Sequence, residues 1–264
     1  MRALAWFWIV VLLVVVGSVG TLAWLGPPPR LISPLSPRPG PVAAARPATQ
    51  PAPVAGTPRV GILVAGIGMI AADSEAAIRT LPAAVSLAVS PYAPDPAATA
   101  AAARAAHHEV VLSLPMQPGA GATADAGDEA LKPGQKASVS AQRLAWALAR
   151  VPHPDGTTSL LGRGLDGAAF VASPALVGLT DSLAARHLWF LDARQVVLLD
   201  APGTTLSHGL AALIARARRQ GSAIGAIGAP SPDLVTALAR LLPRLEGQGV
   251  RLVPVGAIMT KPEQ

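Results

Sequence analysis

Between residues 59 and 260, short β-rich runs alternate with Ala-rich amphipathic runs, and that alternation constrains the fold more than any other feature of the chain. The candidate strands are VGILVA (60–65), AVSLAVS (84–90), EVVLSL (109–114), LWFLD (188–192), VVLLD (196–200), SAIGAIG (222–228) and VRLVPV (250–255). Most are almost continuously apolar, as strands are when both faces of their sheet are covered. Local signals mark the helix ends. Ser173-Pro174 and Ser231-Pro232-Asp233 place a capping residue before a proline at the first helical position, while Gly221 and Gly247 stand where a left-handed C-terminal cap is expected. Repeated strand–helix units over about 200 residues predict a parallel α/β domain, either an open sheet or a barrel.

Charge is distributed unevenly. Arg2, Arg30, Arg38, Arg46 and Arg59 all precede the first acidic residue, Asp73, whereas from residue 60 onward 16 basic side chains stand against 15 acidic ones. The folded part is therefore nearly neutral and lacks the clustered cations that phosphate binding requires, so no nucleic-acid partner is expected. The absence of cysteine excludes a disulfide framework and a thiolate metal site. Residues 3–25 carry no charge and as a helix would extend roughly 34 Å, enough to cross the hydrocarbon core of a bilayer. Trp6, Trp8 and Trp24 stand near the ends of that run, where indole rings favour the membrane interfaces, and the GPPPR that follows makes a poor signal-peptidase site. We expect residues 1–25 to be an uncleaved anchor, with the short tail inside and the bulk outside. Residues 26–58 hold 11 of the 27 prolines and are expected to form an extended tether. The folded domain then spans 59–260, and 261–264 form a tail.

Chemistry-bearing motifs are sparse. Gly66-Ile67-Gly68-Met69-Ile70-Ala71 follows the first strand as G-x-G-x-x-A, but the second strand ends in Ser90-Pro91-Tyr92 instead of the acid that would hold a ribose. It is read as a tight turn, and no cofactor is expected. His107, His108, His153, His187 and His208 include no pair at the i, i+4 spacing of a helical zinc site, and no G-x-S-x-G nucleophile elbow exists. Asp192 and Asp200, at the carboxyl ends of their strands, are the remaining candidates for acid–base work.

Read in order, residues 59–258 resemble the divergent polysaccharide deacetylase family, membrane-anchored or secreted bacterial proteins of the glycoside hydrolase/deacetylase barrel superfamily. VSLAVSPYAPDP (85–96) is similar to the family's strand followed by Pro-Phe-Ala-Pro, and EVVLSLPMQP (109–118) to its Glu-Val-x-Leu-His-Leu-Pro-Met-Glu-Pro. WFLDAR (189–194), GSAIGAIGAPSPDLVTAL (221–238) and GVRLVPVGAI (249–258) match its later segments. The resemblance implies a distorted (β/α) barrel. Residues 193–199 leave room for little more than a turn where the family carries another helix.

Where the family carries its metal-binding and catalytic side chains, this chain carries Ala65, Gly66, Ser113, Leu160 and Ala229, with Gln117 in place of a Glu. Metal-assisted deacetylation needs carboxylate and imidazole donors. These substitutions imply a protein associated with carbohydrates but without deacetylase catalysis, held at the bacterial inner membrane with its domain in the periplasm. Tyr92, Trp189 and Arg194 are candidate contacts to a polysaccharide or peptidoglycan fragment. The alternatives are a hydrolase with its site relocated to Asp192 and Asp200, and an envelope scaffold that binds another protein.

Overall fold

The computed structural model describes residues 56–259 apart from 121 and 123. The expected anchor, most of the tether and the C-terminal tail lie outside the described residues; among those described, no helix is long and apolar enough to cross a membrane.

Eight parallel strands form one sheet: β1 (Arg59–Ile67), β2 (Ser86–Val89), β3 (Val110–Ser113), β4 (Gly156–Thr158), β5 (Trp189–Leu191), β6 (Val197–Leu198), β7 (Ser222–Ile227) and β8 (Arg251–Leu252). Their spatial order is β5-β4-β3-β2-β1-β7-β6, and β8 pairs with the first residues of β1, where Arg59 and Val60 meet Arg251 and Leu252. The helices that connect and cover them are α1 (Ala71–Thr80), α2 (Pro96–Ala105), α3 (Ala137–Arg150), α4 (Ala168–Val171), α5 (Ala175–Ala184), α6 (Leu206–Gln220), α7 (Pro232–Leu241), α8 (Arg244–Gly247) and α9 (Gly256–Met259).

The sheet ends at β5 and β6, which are consecutive in the chain. Only five residues, 192–196, join them, and they include a single 3-10 turn, Ala193–Gln195. Parallel neighbours need a crossover of about a dozen residues or more to carry the chain back along the strand. Five residues cannot do this, so β6 pairs with β7 and leaves the β5 edge unpaired. The result is a parallel barrel wall interrupted by a seam.

Alternation along each strand separates two cores. Val60, Ile62, Val64, Leu87, Val89, Val110 and Leu112 pack outward with Leu144, Leu183, Leu213, Val235 and Leu238 of the helices. Leu63, Ala65, Ala88, Val111, Leu191, Ile224 and Ala226 point inward and are joined by Leu160 and Val255. Strand runs that read as continuously apolar are therefore buried on both faces, one against helices and the other in the interior of the curved sheet.

Several local expectations need correction. β4 was not expected at all, and VRLVPV supplies only two ladder residues because Val253 onward turns toward α9. Ser173 does not cap α5: its hydroxyl donates to the Phe170 carbonyl at 2.6 Å, closing α4, and Pro174 takes the cap position. Ser231 does cap α7, accepting from the Leu234 N–H at 3.3 Å. Gly221 ends α6 in the left-handed conformation, but Gly247 lies inside α8, and the left-handed turn falls to Gly249. The first strand runs through Ile67, so the glycine turn begins within it rather than after it.

Candidate functional site

The carboxyl ends of β1, β2 and β7 and the loops that follow β3 and β4 enclose a cleft of 380 Å³. This is the edge of a parallel sheet where ligand sites collect, because the loops there are free of the ladder. Gly66, Met69, Ile70 and Asp73 form one side, Ser90 and Tyr92 the second, Asp125–Gly127 the third, and Leu161, Gly162 and Leu165 with Gly228–Pro230 the last.

The wall at Met69 and Ile70 departs from ordinary helix chemistry. Ile70 occupies the N-cap position of α1, where Ser, Thr, Asp or Asn normally accepts a backbone N–H, and no side chain caps this helix. Ser74 instead supplies its hydroxyl to the turn, accepting from the Gly68 N–H at 2.8 Å and donating to the Ile70 carbonyl at 2.7 Å. Met69 and Ile70 are 51% and 59% exposed, two of the most exposed large apolar side chains among the described residues. An apolar pair at a helix start, where capping chemistry belongs, was a signal in the sequence that the glycine fingerprint obscured.

Tyr92 is held from both sides. Its ring packs on Trp146 with centroids 5.3 Å apart, and its oxygen accepts from the Glu129 N–H at 3.1 Å. Gly127 lies so close that a side-chain carbon there would sit 2.6 Å from the Tyr92 oxygen. Burial pushes the phenol pKa above its ordinary value, opposed by the Glu129 hydrogen bond and helped by the neighbouring Glu129 and Asp128 charges. Of the expected carbohydrate contacts, Tyr92 alone lines the cleft. Trp189 packs flat against Gly156, where a side-chain carbon would come within 2.1 Å of the indole, and is part of the inner core. Arg194 turns back on Asp192, donating from Nε and Nη2 at 3.0 and 2.8 Å to one carboxylate oxygen, and that pairing raises the guanidinium pKa.

Asp192 and Asp200 have different partners. Asp192 also accepts the Arg194 N–H at 2.8 Å. Asp200 accepts the N–H groups of Gly228 and Ala229, at 3.0 and 2.9 Å, and pairs with Arg163 at 3.1 Å. It thereby ties the loop after β4 to the end of β7 and organises backbone, in place of presenting a free carboxylate to the cleft.

The five positions where the resemblance implies metal and catalytic chemistry lie at this mouth or beneath it. Ala65 and Leu160 belong to the inner apolar cluster, whereas Gly66 and Ala229 line the cleft. Ser113 is fully buried, and its hydroxyl has no hydrogen-bond partner. Among the described residues, no group of three or more His, Asp or Glu is placed to hold a metal ion. The donor set does not fit the metal that the family's chemistry needs. Nor do the histidines supply it. His107, His153 and His187 occupy left-handed turn positions, and His108 is buried with its ring nitrogens 2.8 and 3.1 Å from the Val85 and Ile78 carbonyls.

Comparison with known proteins agrees with this architecture. Among solved structures, an uncharacterized protein from Agrobacterium tumefaciens C58 is similar, with 25% identity, a TM-score of 0.61, and coverage of 79% of this chain and 92% of that one. No curated protein matches the sequence. The divergent polysaccharide deacetylase family matches residues 62–197 and 193–259, two segments that overlap in the short connection between β5 and β6. With the match extending across nearly the whole described domain, the chain belongs to the divergent polysaccharide deacetylase family.

Proposed function

We propose that this protein is a non-catalytic member of its family that binds a carbohydrate-bearing ligand at the barrel mouth, and that residues 3–25 hold it at the bacterial inner membrane with its domain in the periplasm. The observation that carries the reading is the filling of the barrel floor. Ala65 and Leu160 close it with apolar side chains at positions where metal-assisted deacetylation needs carboxylate and imidazole. The 380 Å³ cleft above that floor is within the size range of small-ligand sites, and Tyr92 offers an aromatic surface in its wall. The relocated-hydrolase alternative receives no support from Asp192 and Asp200, whose oxygens are engaged by Arg194, Arg163 and backbone N–H groups.

The test is acetate release from acetylated chitooligosaccharide by the purified full-length chain with zinc supplied. No release above a protein-free control is expected; zinc-dependent turnover would overturn the reading. Protease accessibility in intact and permeabilised spheroplasts tests the placement, and a domain digested only after the inner membrane is opened would refute a periplasmic location.

A further inference from the structure

We propose that the cleft takes the hydrocarbon chain of an amphiphile and that Asp73 and Asp125 receive a hydrogen-bond-donating head, an ammonium in particular. The proposal rests on reading the mouth as a non-catalytic binding site and adds the chemical class of the ligand. Three observations carry it. The walls are formed largely by Met69, Ile70, Leu161, Leu165, Ala229 and Pro230, with Met69 and Ile70 standing half-exposed at the rim. An apolar chain laid across them removes from water a surface that is otherwise wet, at about 25 cal/mol per Å² buried.

Five of the backbone donors around the cleft are already engaged. The N–H groups of Leu161 and Leu165 bond to the carbonyls of Leu165 and Gly162, those of Gly228 and Ala229 to Asp200, and that of Gly127 to Asp125. No Lys, Arg, His, Asn or Gln lines the cleft among the described residues, so the hydroxyls of Ser90 and Tyr92 are its only side-chain donors. A bare oligosaccharide or a carboxylate asks for several side-chain donors, and this surface offers two hydroxyls.

Charge complementarity then selects the head. Asp73 and Asp125 lie in the lining, and Asp128 and Glu129 act on the Tyr92 phenol against the single opposing charge of Arg143, so acids outnumber cations at the mouth of an apolar interior. A cationic or hydroxylic group at the end of a chain meets acceptors there, whereas an anionic head meets like charge.

The experiment uses the full chain in phospholipid nanodiscs and dodecyl probes that carry a terminal diazirine and an ammonium, hydroxyl or carboxylate head. After photolysis, mass spectrometry is expected to find label on peptides holding Met69–Ile70 and Leu161–Leu165. The ammonium probe should label about tenfold more than the carboxylate probe, the ratio that about 1.4 kcal/mol of discrimination produces. Asp73→Asn combined with Asp125→Asn should remove the ratio, while labelling by the hydroxyl probe persists and reports an intact cleft. Label spread over the surface without enrichment at these peptides, equal labelling by all three heads, or displacement by chain-free chitooligosaccharide would overturn the proposal. Acetate release in the separate assay, with cleft labelling unchanged, would overturn the non-catalytic reading alone.

Discussion

Leu160 fills space where the family resemblance implies an imidazole, and it belongs to an apolar cluster with Leu63, Ala65, Leu191 and Val255. Leu160→His is expected to cost roughly 2–4 kcal/mol, through the combined loss of apolar burial and an unsatisfied polar group, as measured by urea denaturation. Glu109 behaves differently. Its carboxylate accepts the Ser86 hydroxyl at 2.5 Å and the Gly256 N–H at 3.0 Å, which joins the start of β3 to the C-terminal segment. Burial raises its pKa above the ordinary 4.5, an effect larger than the opposing hydrogen bonds. The folded chain therefore holds this proton more tightly than the unfolded one. The linked stability is complete below the unfolded value and is lost as pH rises through the folded value. Glu109→Gln should flatten that part of the stability–pH curve, checked by denaturation between about pH 4 and pH 8. The substituted positions could be read directly from the chain because they stand in ordered motifs. Glu109 and the Asp200 clamp could not, because their partners lie 147 and 28 residues away.

At the level of elements, readable positions were those decided by local chemistry. Ser231 followed by Pro232 specifies the start of α7 through one side-chain hydrogen bond, and Gly221 specifies the end of α6 through its positive φ. Ser231→Ala should lower stability by about 1 kcal/mol, read from the thermal midpoint, whereas Ser173→Ala should change the start of α5 little because Ser173 caps nothing there. Elements decided by distant partners were not readable. β4 is a three-residue strand, Gly156-Thr157-Thr158, too short and too polar to show an apolar run. It exists because β3 and β5 supply ladder partners on both sides, and because Gly156 lets the Trp189 ring approach the backbone. The strands after the first are shorter than their apolar runs for the converse reason, because the apolar pattern continues past the last paired residue wherever the interior must be filled, whereas β1 runs longer, from Arg59 to Ile67 instead of 60–65.

For the whole molecule, the alternation of runs was enough to predict a parallel α/β domain but left the choice between open sheet and barrel undecided; the family resemblance implied the barrel, and the shortness of the 193–199 stretch against that family anticipated the missing unit. Near the mouth, the loop after β4 is tied across the seam to the residues that follow β6 and β7 by contacts other than a ladder. Arg163 reaches Asp200, and the Gly162–Arg163 backbone packs against Gly228. Amides along β5 and β6 should therefore exchange with deuterium well before those of β1, which is paired on both sides; equal protection would show a closed ladder in solution.

The seam also changes what the chain can accept. No sheet hydrogen bond depends on the link through residues 192–196, so the chain could be cut there, or lengthened by a further strand and helix, with every existing strand pair kept. In most parallel barrels a new unit must force two paired strands apart. Here β5 and β6 share no ladder that would have to be broken, so gain or loss of a repeat at this point is a change of length rather than a change of fold.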